Sequence, residues 1–272
     1  MSWIEALVLG CVQGVSEFLP ISSSGHLILV PWLLNWGDPG LSFSVFLHLG
    51  TTLALLIYFF GDLWGIFIAG LKSIIERRVG YDMERMLFWW IFWGTLPAVV
   101  AGLSFGDWIE AHLRSPLLVA FFLAAVGFLI FWIDLRFPAN RQLEEMTRAE
   151  SFLIGLAQAC ALIPGVSRSG STIAMARRLG FSRHAAARFS FLLSVPIIVG
   201  ALVLESRHLL GRAGSELGWG YLMTGLLASF FSGLICIHLF LQFLKHASLK
   251  VFAWYRLLVA AAIIAVSLII GK

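Results

Sequence analysis

The sequence predicts an all-α integral membrane protein, with six transmembrane helices plus two re-entrant helical hairpins arranged as inverted-topology repeats in one polytopic domain spanning 1–272. Three observations carry that expectation. Hydrophobic residues make up 60% of the 272 residues and charged ones only 12%, with mean hydropathy +0.91; soluble domains run at about 45–50% and about 25%. Apolar stretches long enough to cross a bilayer recur along the chain. Two short polar strings, Pro20 to His26 (PISSSGH) and Pro164 to Thr172 (PGVSRSGST), interrupt these stretches at matching places.

The first segment, Trp3 to Leu19, is too short to span and is broken by Gly10, Gln13 and Glu17. Its upstream end, Met1 to Glu5, has no basic region and no small-residue cleavage pattern, so the segment is expected to be retained. Full-length spans follow at Leu41 to Phe60, Leu87 to Phe105 and Leu117 to Ile133. A second short segment, Phe152 to Ile163, is broken by Gly155 and Gln158. Three more spans complete the chain: Ala185 to Leu204, Trp219 to Leu244 and Val251 to Ile270. Each short segment ends at a proline-serine-glycine string. Such backbone at membrane depth must be sheltered by protein or line a wet cavity, so both are read as re-entrant hairpins.

Shifting the chain on itself by 145 positions lays Glu5 on Glu150, Gly10 on Gly155, Gln13 on Gln158, Ser22 on Ser167, Ser24 on Ser169 and Gly25 on Gly170. The halves, about 1–134 and 148–272, read as copies. An odd number of spans separates them, so the second copy enters from the opposite face. The cations of the loops divide accordingly. One side collects Lys72, Arg77, Arg78, Arg85, Arg136, Arg141, Arg148, Arg177, Arg178, Arg183, Arg188, Lys245 and Lys250, while the other holds Arg114, Arg207, Arg212 and Lys272. The positive-inside rule makes the first side cytoplasmic and opens the first hairpin outward. The net charge of +4 is scattered over these loops, which suits an anionic lipid surface and not nucleic acid. Cys11, Cys160 and Cys236 lack any ligand or disulfide spacing and are expected to be buried bystanders.

The same shift isolates three mismatches: Glu17 falls on Leu162, Ser23 on Arg168 and His26 on Ser171. A pseudo-two-fold axis would set Ser23 and Arg168 facing each other across one cavity. Each polar string precedes a renewed apolar run, 27–34 and 173–179, and so starts a half-helix whose free amides and positive dipole end attract anions. Arg168 adds a planar fork that fits phosphate oxygens, at a mid-membrane cost of about 2.5–3.5 kcal/mol that helix capping does not explain. Gln13 and Glu17 share a helix face, and Glu17 is placed to ligate a divalent cation or accept a proton. His26, one turn beyond Ser23, is placed to orient or deprotonate its hydroxyl. His48 and His238, without polar neighbours in sequence, are read as interhelical hydrogen-bonding residues.

On these motifs, with Gln13 to Pro20 (QGVSEFLP) and Phe189 to Pro196 (FSFLLSVP) as further support, the chain resembles the bacterial undecaprenyl-diphosphate phosphatase, or bacitracin-resistance, family over essentially its full length. The family's first motif often has glutamate at both ends; Gln13 departs from that, which leaves a metal-ligand role at position 13 open. The resemblance implies interlocked repeats and removal of the terminal phosphate of a polyprenyl diphosphate on the outer face of the bacterial cytoplasmic membrane, recycling the lipid carrier of cell-wall synthesis. It also implies a divalent cation, Mg2+ or Ca2+, at Glu17. Ser23, His26, Glu17 and Arg168 are the catalytic candidates. Gln13, Ser22, Ser24, Gly25, Gly165, Ser167, Ser169, Gly170 and Thr172 are the substrate-binding ones. Bilayer lipids are the other partners, nucleic acid is not one, and homodimerisation is left open. The rival reading is a secondary transporter or polyprenyl-phosphate flippase using the same inverted-repeat site.

Overall fold

The computed structural model describes residues 1–37, 40–80, 82–209 and 218–270. Eleven α-helices are described: α1 Trp3–Phe18, α2 Ser23–Leu34, α3 Gly40–Tyr58, α4 Phe60–Ile75, α5 Met83–His112, α6 Pro116–Arg136, α7 Arg148–Cys160, α8 Arg168–Arg178, α9 Arg183–Leu209, α10 Trp219–Phe243 and α11 Lys250–Ile270. Five of them (α5, α6, α9, α10 and α11) are long and apolar enough to cross a membrane; α3 and α4 make a sixth only as a bent pair. The outward faces are greasy, with Ile57, Phe121, Phe128, Ile235 and Leu258 all exposed, as lipid-facing positions require. The chain is a multi-pass membrane protein.

One element departs from expectation. The segment read as a straight crossing from Leu41 to Phe60 ends at Tyr58, and the chain turns by 77° into α4. No proline marks the break, and α4 is itself apolar, so sequence pattern alone could not locate it. Asp62 in its first turn pairs with Arg188 of α9 at 2.8 Å and ties α4 to the bundle.

The two short segments are helix-turn-helix units, α1-α2 and α7-α8, whose turns hold the polar strings. Each packs most closely on a helix of the other half: α1 on α10, and α7 on α5. Glycine makes both contacts. A Cβ on Gly10 would stand 2.6 Å from the carbonyl oxygen of Gly225, and one on Gly155 would stand 2.2 Å from that of Gly94. Gly10 and Gly155 are partners under the shift of 145, so the same close approach is built twice.

At the other end of α8, Asp134 is fully enclosed and accepts from Arg177 at 3.2 Å, from Arg183 at 2.8 Å and from the Leu249 amide at 3.1 Å. Arg177 also donates to the carbonyls of Phe137, Pro138 and Phe181. This network joins α6, α8 and α9 to the start of α11 and anchors the second hairpin from below.

Three expectations need correction or restriction. All three cysteines are free, yet only Cys236 is buried; Cys11 and Cys160 are exposed, because α1 and α7 turn those positions away from their partner helices. His48 does have polar company, described below. Of the cations assigned to the outer side, Arg212 and Lys272 lie outside the described residues.

Candidate active site

Both half-helices begin with the same local geometry. Ser22 caps α2 at φ 76°, and Ser167 caps α8 at φ 74°. Each hydroxyl accepts from the glycine amide three residues on, Gly25 at 3.3 Å and Gly170 at 3.0 Å. Each also contacts the serine two residues on, Ser24 at 3.4 Å and Ser169 at 3.3 Å. A non-glycine residue at positive φ is strained and persists only where its surroundings hold it. Finding it at both equivalent positions makes the tips true structural counterparts. The first two amides of α2 and α8, at Ser23, Ser24, Arg168 and Ser169, are left without partners within their helices.

The tips meet. Ser169 Oγ donates to the Leu19 carbonyl at 2.9 Å, tying the second tip to the first. Glu17, 7% exposed, joins the chemical groups. Its Oε2 accepts from Ser23 Oγ at 2.5 Å and from Gln13 Nε2 at 3.2 Å, while its Oε1 accepts from Arg168 Nη2 at 3.0 Å. Ser23 and Arg168 are therefore brought together through one carboxylate. Arg168 Nη1 and Gln13 Oε1 are buried with no hydrogen-bond partner among the described residues. Unpaired buried donors and acceptors are costly; Arg168 lines a cavity of about 330 Å³ together with Glu17, Ser23, Ser24 and His48, and with the apolar Ile197, Ile198 and Leu202.

His48 was missed as a site residue because it stands alone in an apolar sequence. Its Nδ1 donates to the Ser44 carbonyl at 2.8 Å, one turn back in α3, and its Nε2 lies 3.8 Å from Glu17 Oε2. Only the packing of α3 beside α1 brings it there. His238 Nδ1 meets the Tyr58 hydroxyl across the helices at 3.3 Å.

Both ring nitrogens of His26 are engaged by groups other than the Ser23 hydroxyl. Its Nδ1 bonds the Ser22 carbonyl at 2.7 Å and its Nε2 bonds the Tyr255 hydroxyl at 2.8 Å. The first bond makes Nδ1 the protonated nitrogen, so the Tyr255 O–H donates to Nε2. The structure thus brings Glu17, and not His26, to Ser23. Several residues expected to bind substrate are committed to the fold. Thr172 Oγ1 bonds Ser190 Oγ at 2.6 Å and donates to the Arg168 carbonyl at 2.7 Å. Gly165, at φ 93°, presses so closely on α6 that a Cβ would stand 2.6 Å from the Val119 carbonyl. Ser22, Ser167, Gly25 and Gly170 are occupied by the caps. Ser24 and Ser167 both lie on the cavity wall.

A second cavity of about 550 Å³, lined by Leu27, Ile28, Trp32, Trp36 and Ile109 among others, shares Ser24, Ser44 and His48 with the first. An apolar groove therefore runs up to the polar cluster. As a metal centre the cluster is limited: among the described residues no three His, Cys, Asp or Glu side chains converge. Glu17 is the one carboxylate lining the cavity among the described residues, so a divalent cation held there would draw most of its oxygen ligands from water or from a bound anion.

A half-buried hydroxyl and guanidinium sharing one buried carboxylate where two half-helix N-termini converge define the class: a polytopic membrane protein with a polar cluster between its two hairpin tips. The family described as "Bacitracin resistance protein BacA" matches residues 6–262, and the chain belongs to that family. It is 42% identical to the Undecaprenyl-diphosphatase of Pelotomaculum thermopropionicum over 97% of this chain and 96% of that one. It is 42% identical to the protein of the same name from Aliivibrio salmonicida over 97% and 98%, and 41% identical to that of Moorella thermoacetica over 98% of each.

Proposed function

We propose that the chain is a polyprenyl diphosphate phosphatase, releasing inorganic phosphate and leaving the lipid monophosphate for reuse as the carrier of cell-wall precursors. The observation that carries this reading is the Ser23–Glu17–Arg168 chain at the junction of the tips, with an unpaired guanidinium N–H beside it. The diphosphate sits against Ser23, Glu17 and Arg168 in the smaller cavity, and the first isoprene units extend into the larger groove next to it, along Leu27, Ile28 and Trp32.

Ser23 Oγ attacks the terminal phosphorus as Glu17 Oε2 takes its proton, and the bond to the bridging oxygen breaks to release the lipid monophosphate. Protonation removes the charge that holds Arg168, freeing its fork for the transferring oxygens, with the half-helix amides as further donors. Water then attacks the phosphoserine, returning a proton to Ser23 through Glu17 and releasing phosphate. His26 serves as a positioning group that holds the Ser22 carbonyl. A divalent cation, held by the diphosphate and Glu17, would supply charge neutralisation at the leaving phosphate when bound. The repeats are inverted across the membrane, and the site faces the outer side of the bacterial cytoplasmic membrane.

The test is phosphate release from a long-chain prenyl diphosphate by purified protein, with and without chelator. Release that chelator suppresses supports the reading. No release with any divalent metal, together with lipid-monophosphate flipping that survives Ser23→Ala, would assign the protein to transport instead.

A further inference from the structure

Two fully buried arginines lie outside the chemistry above: Arg177, paired with Asp134, and Arg256, for which no carboxylate partner appears among the described residues. Arg256 lies in α11, is 0% exposed, and among the described residues donates only to backbone carbonyls. Nη1 reaches Pro20 at 3.0 Å in the first tip, while Nη2 reaches Gly165 at 2.7 Å and Val166 at 3.2 Å in the second. Nε reaches Leu123 at 3.1 Å and Nη2 a further carbonyl, Phe122, at 3.4 Å, both on α6. One planar fork therefore grips both tips and the helix behind them.

Space is made for it. A Cβ on Gly127 of α6 would stand 3.1 Å from the Arg256 Cβ, and one on Gly170 in the first turn of α8 would stand 3.4 Å from Nη1. The preceding residue acts on the same structure: Tyr255 bonds His26, which bonds the Ser22 carbonyl. A charge inside a bilayer is costly, and an apolar side chain would pack this position without it. What the guanidinium alone provides is a rigid set of donors that satisfies the exposed carbonyls of both turns at fixed separation.

We propose that Arg256 is a positioning residue: by clasping the Pro20, Gly165 and Val166 carbonyls it sets the spacing between Ser23 with Glu17 on one tip and Arg168 on the other. This deepens the phosphatase reading and rests on it. Lysine keeps the charge but offers a single ammonium that cannot reproduce the fork, so Arg256→Lys loosens the spacing while preserving the helix. In detergent, Arg256→Lys should melt close to the parent, keep KM for a prenyl diphosphate within about twofold and lose about 100-fold in kcat, the scale expected of a misplacement near 1 Å. Amide hydrogen exchange should rise at both tips, 19–26 and 161–170, with α9 and α10 unchanged.

A folded Arg256→Lys with parental kcat would overturn the proposal. So would exchange that rises everywhere, which marks simple destabilisation, or at neither tip. The exchange measurement needs no substrate, so it decides the clasp even if the parent releases no phosphate, an outcome that would sink the phosphatase reading separately. Should Arg256→Lys fail to fold, Gly127→Ala, which crowds the arginine from behind, supplies the same comparison.

Discussion

The two hairpin tips have the same scaffold and different chemistry. Ser22 and Ser167 cap at nearly equal positive φ, Gly25 and Gly170 donate to them, and Gly10 and Gly155 let each hairpin approach the opposite half. The positions between these fixed points have diverged: Glu17 against Leu162, Ser23 against Arg168, His26 against Ser171. The lesson is a division of labour. Residues that cap a half-helix are needed twice, whereas in the proposed reaction nucleophile, base and phosphate clamp are needed once each and are supplied by whichever tip places them opposite the other.

Substitutions at the diverged positions should therefore cost activity, and those at the shared positions stability. The largest effect is expected at Ser23. Ser23→Ala removes the attacking oxygen, and phosphate release should fall about 10³-fold or more while the melting temperature holds. Residual turnover above a tenth of parental would reduce Ser23 to a binding group. Arg168→Lys comes next, with a loss of about 10²–10³-fold, as for removal of one preorganised donor.

The shared positions give a matched pair. Ser22→Ala and Ser167→Ala should each cost about 1 kcal/mol by loss of the cap. The glycine variants at the same positions should cost less, because glycine accepts the φ of 76° and 74° without strain. Chemical denaturation that separated the two sites by several kcal/mol would break their equivalence.

The smallest effect is expected furthest from the tips. Burial opposes ionisation of Glu150, but Arg141 at 2.6 Å and the Thr147 cap outweigh it and hold the carboxyl below its ordinary 4.5. The stabilisation is present above pH 4.5 and is lost as pH falls through the lowered folded value. The pair is partly solvated, so the contribution is expected to be under about 1 kcal/mol. Melting temperatures of the parent and Glu150→Gln should converge on acidification.

Much of this was legible in the sequence, for identifiable reasons. Spans, hairpins and the repeat follow from hydropathy and from glycines and serines at a fixed offset, both local patterns. Glu17, Ser23 and Arg168 stood out because polar groups in an apolar segment demand a reason. What sequence could not give was contact across the bundle. His48 reaches Glu17 only because α3 packs beside α1, and His26 looked poised towards Ser23 until Tyr255, 229 residues away, was seen to hold its other nitrogen. Arg256 could have been found by the argument applied to Arg168, since it too is a lone cation inside an apolar span. The bend at Phe59 left no local signal at all.

The composite nature of the site is tested most directly by a double-mutant cycle on phosphate release, using Ser23→Ala, Arg168→Lys and the two combined. If nucleophile and guanidinium act on one transition state, the double variant should be slower than Ser23→Ala by no more than about threefold, since the clamp has no attack left to assist. Losses that multiply fully would mean that Ser23 and Arg168 work independently, and that the two tips do not share one reaction.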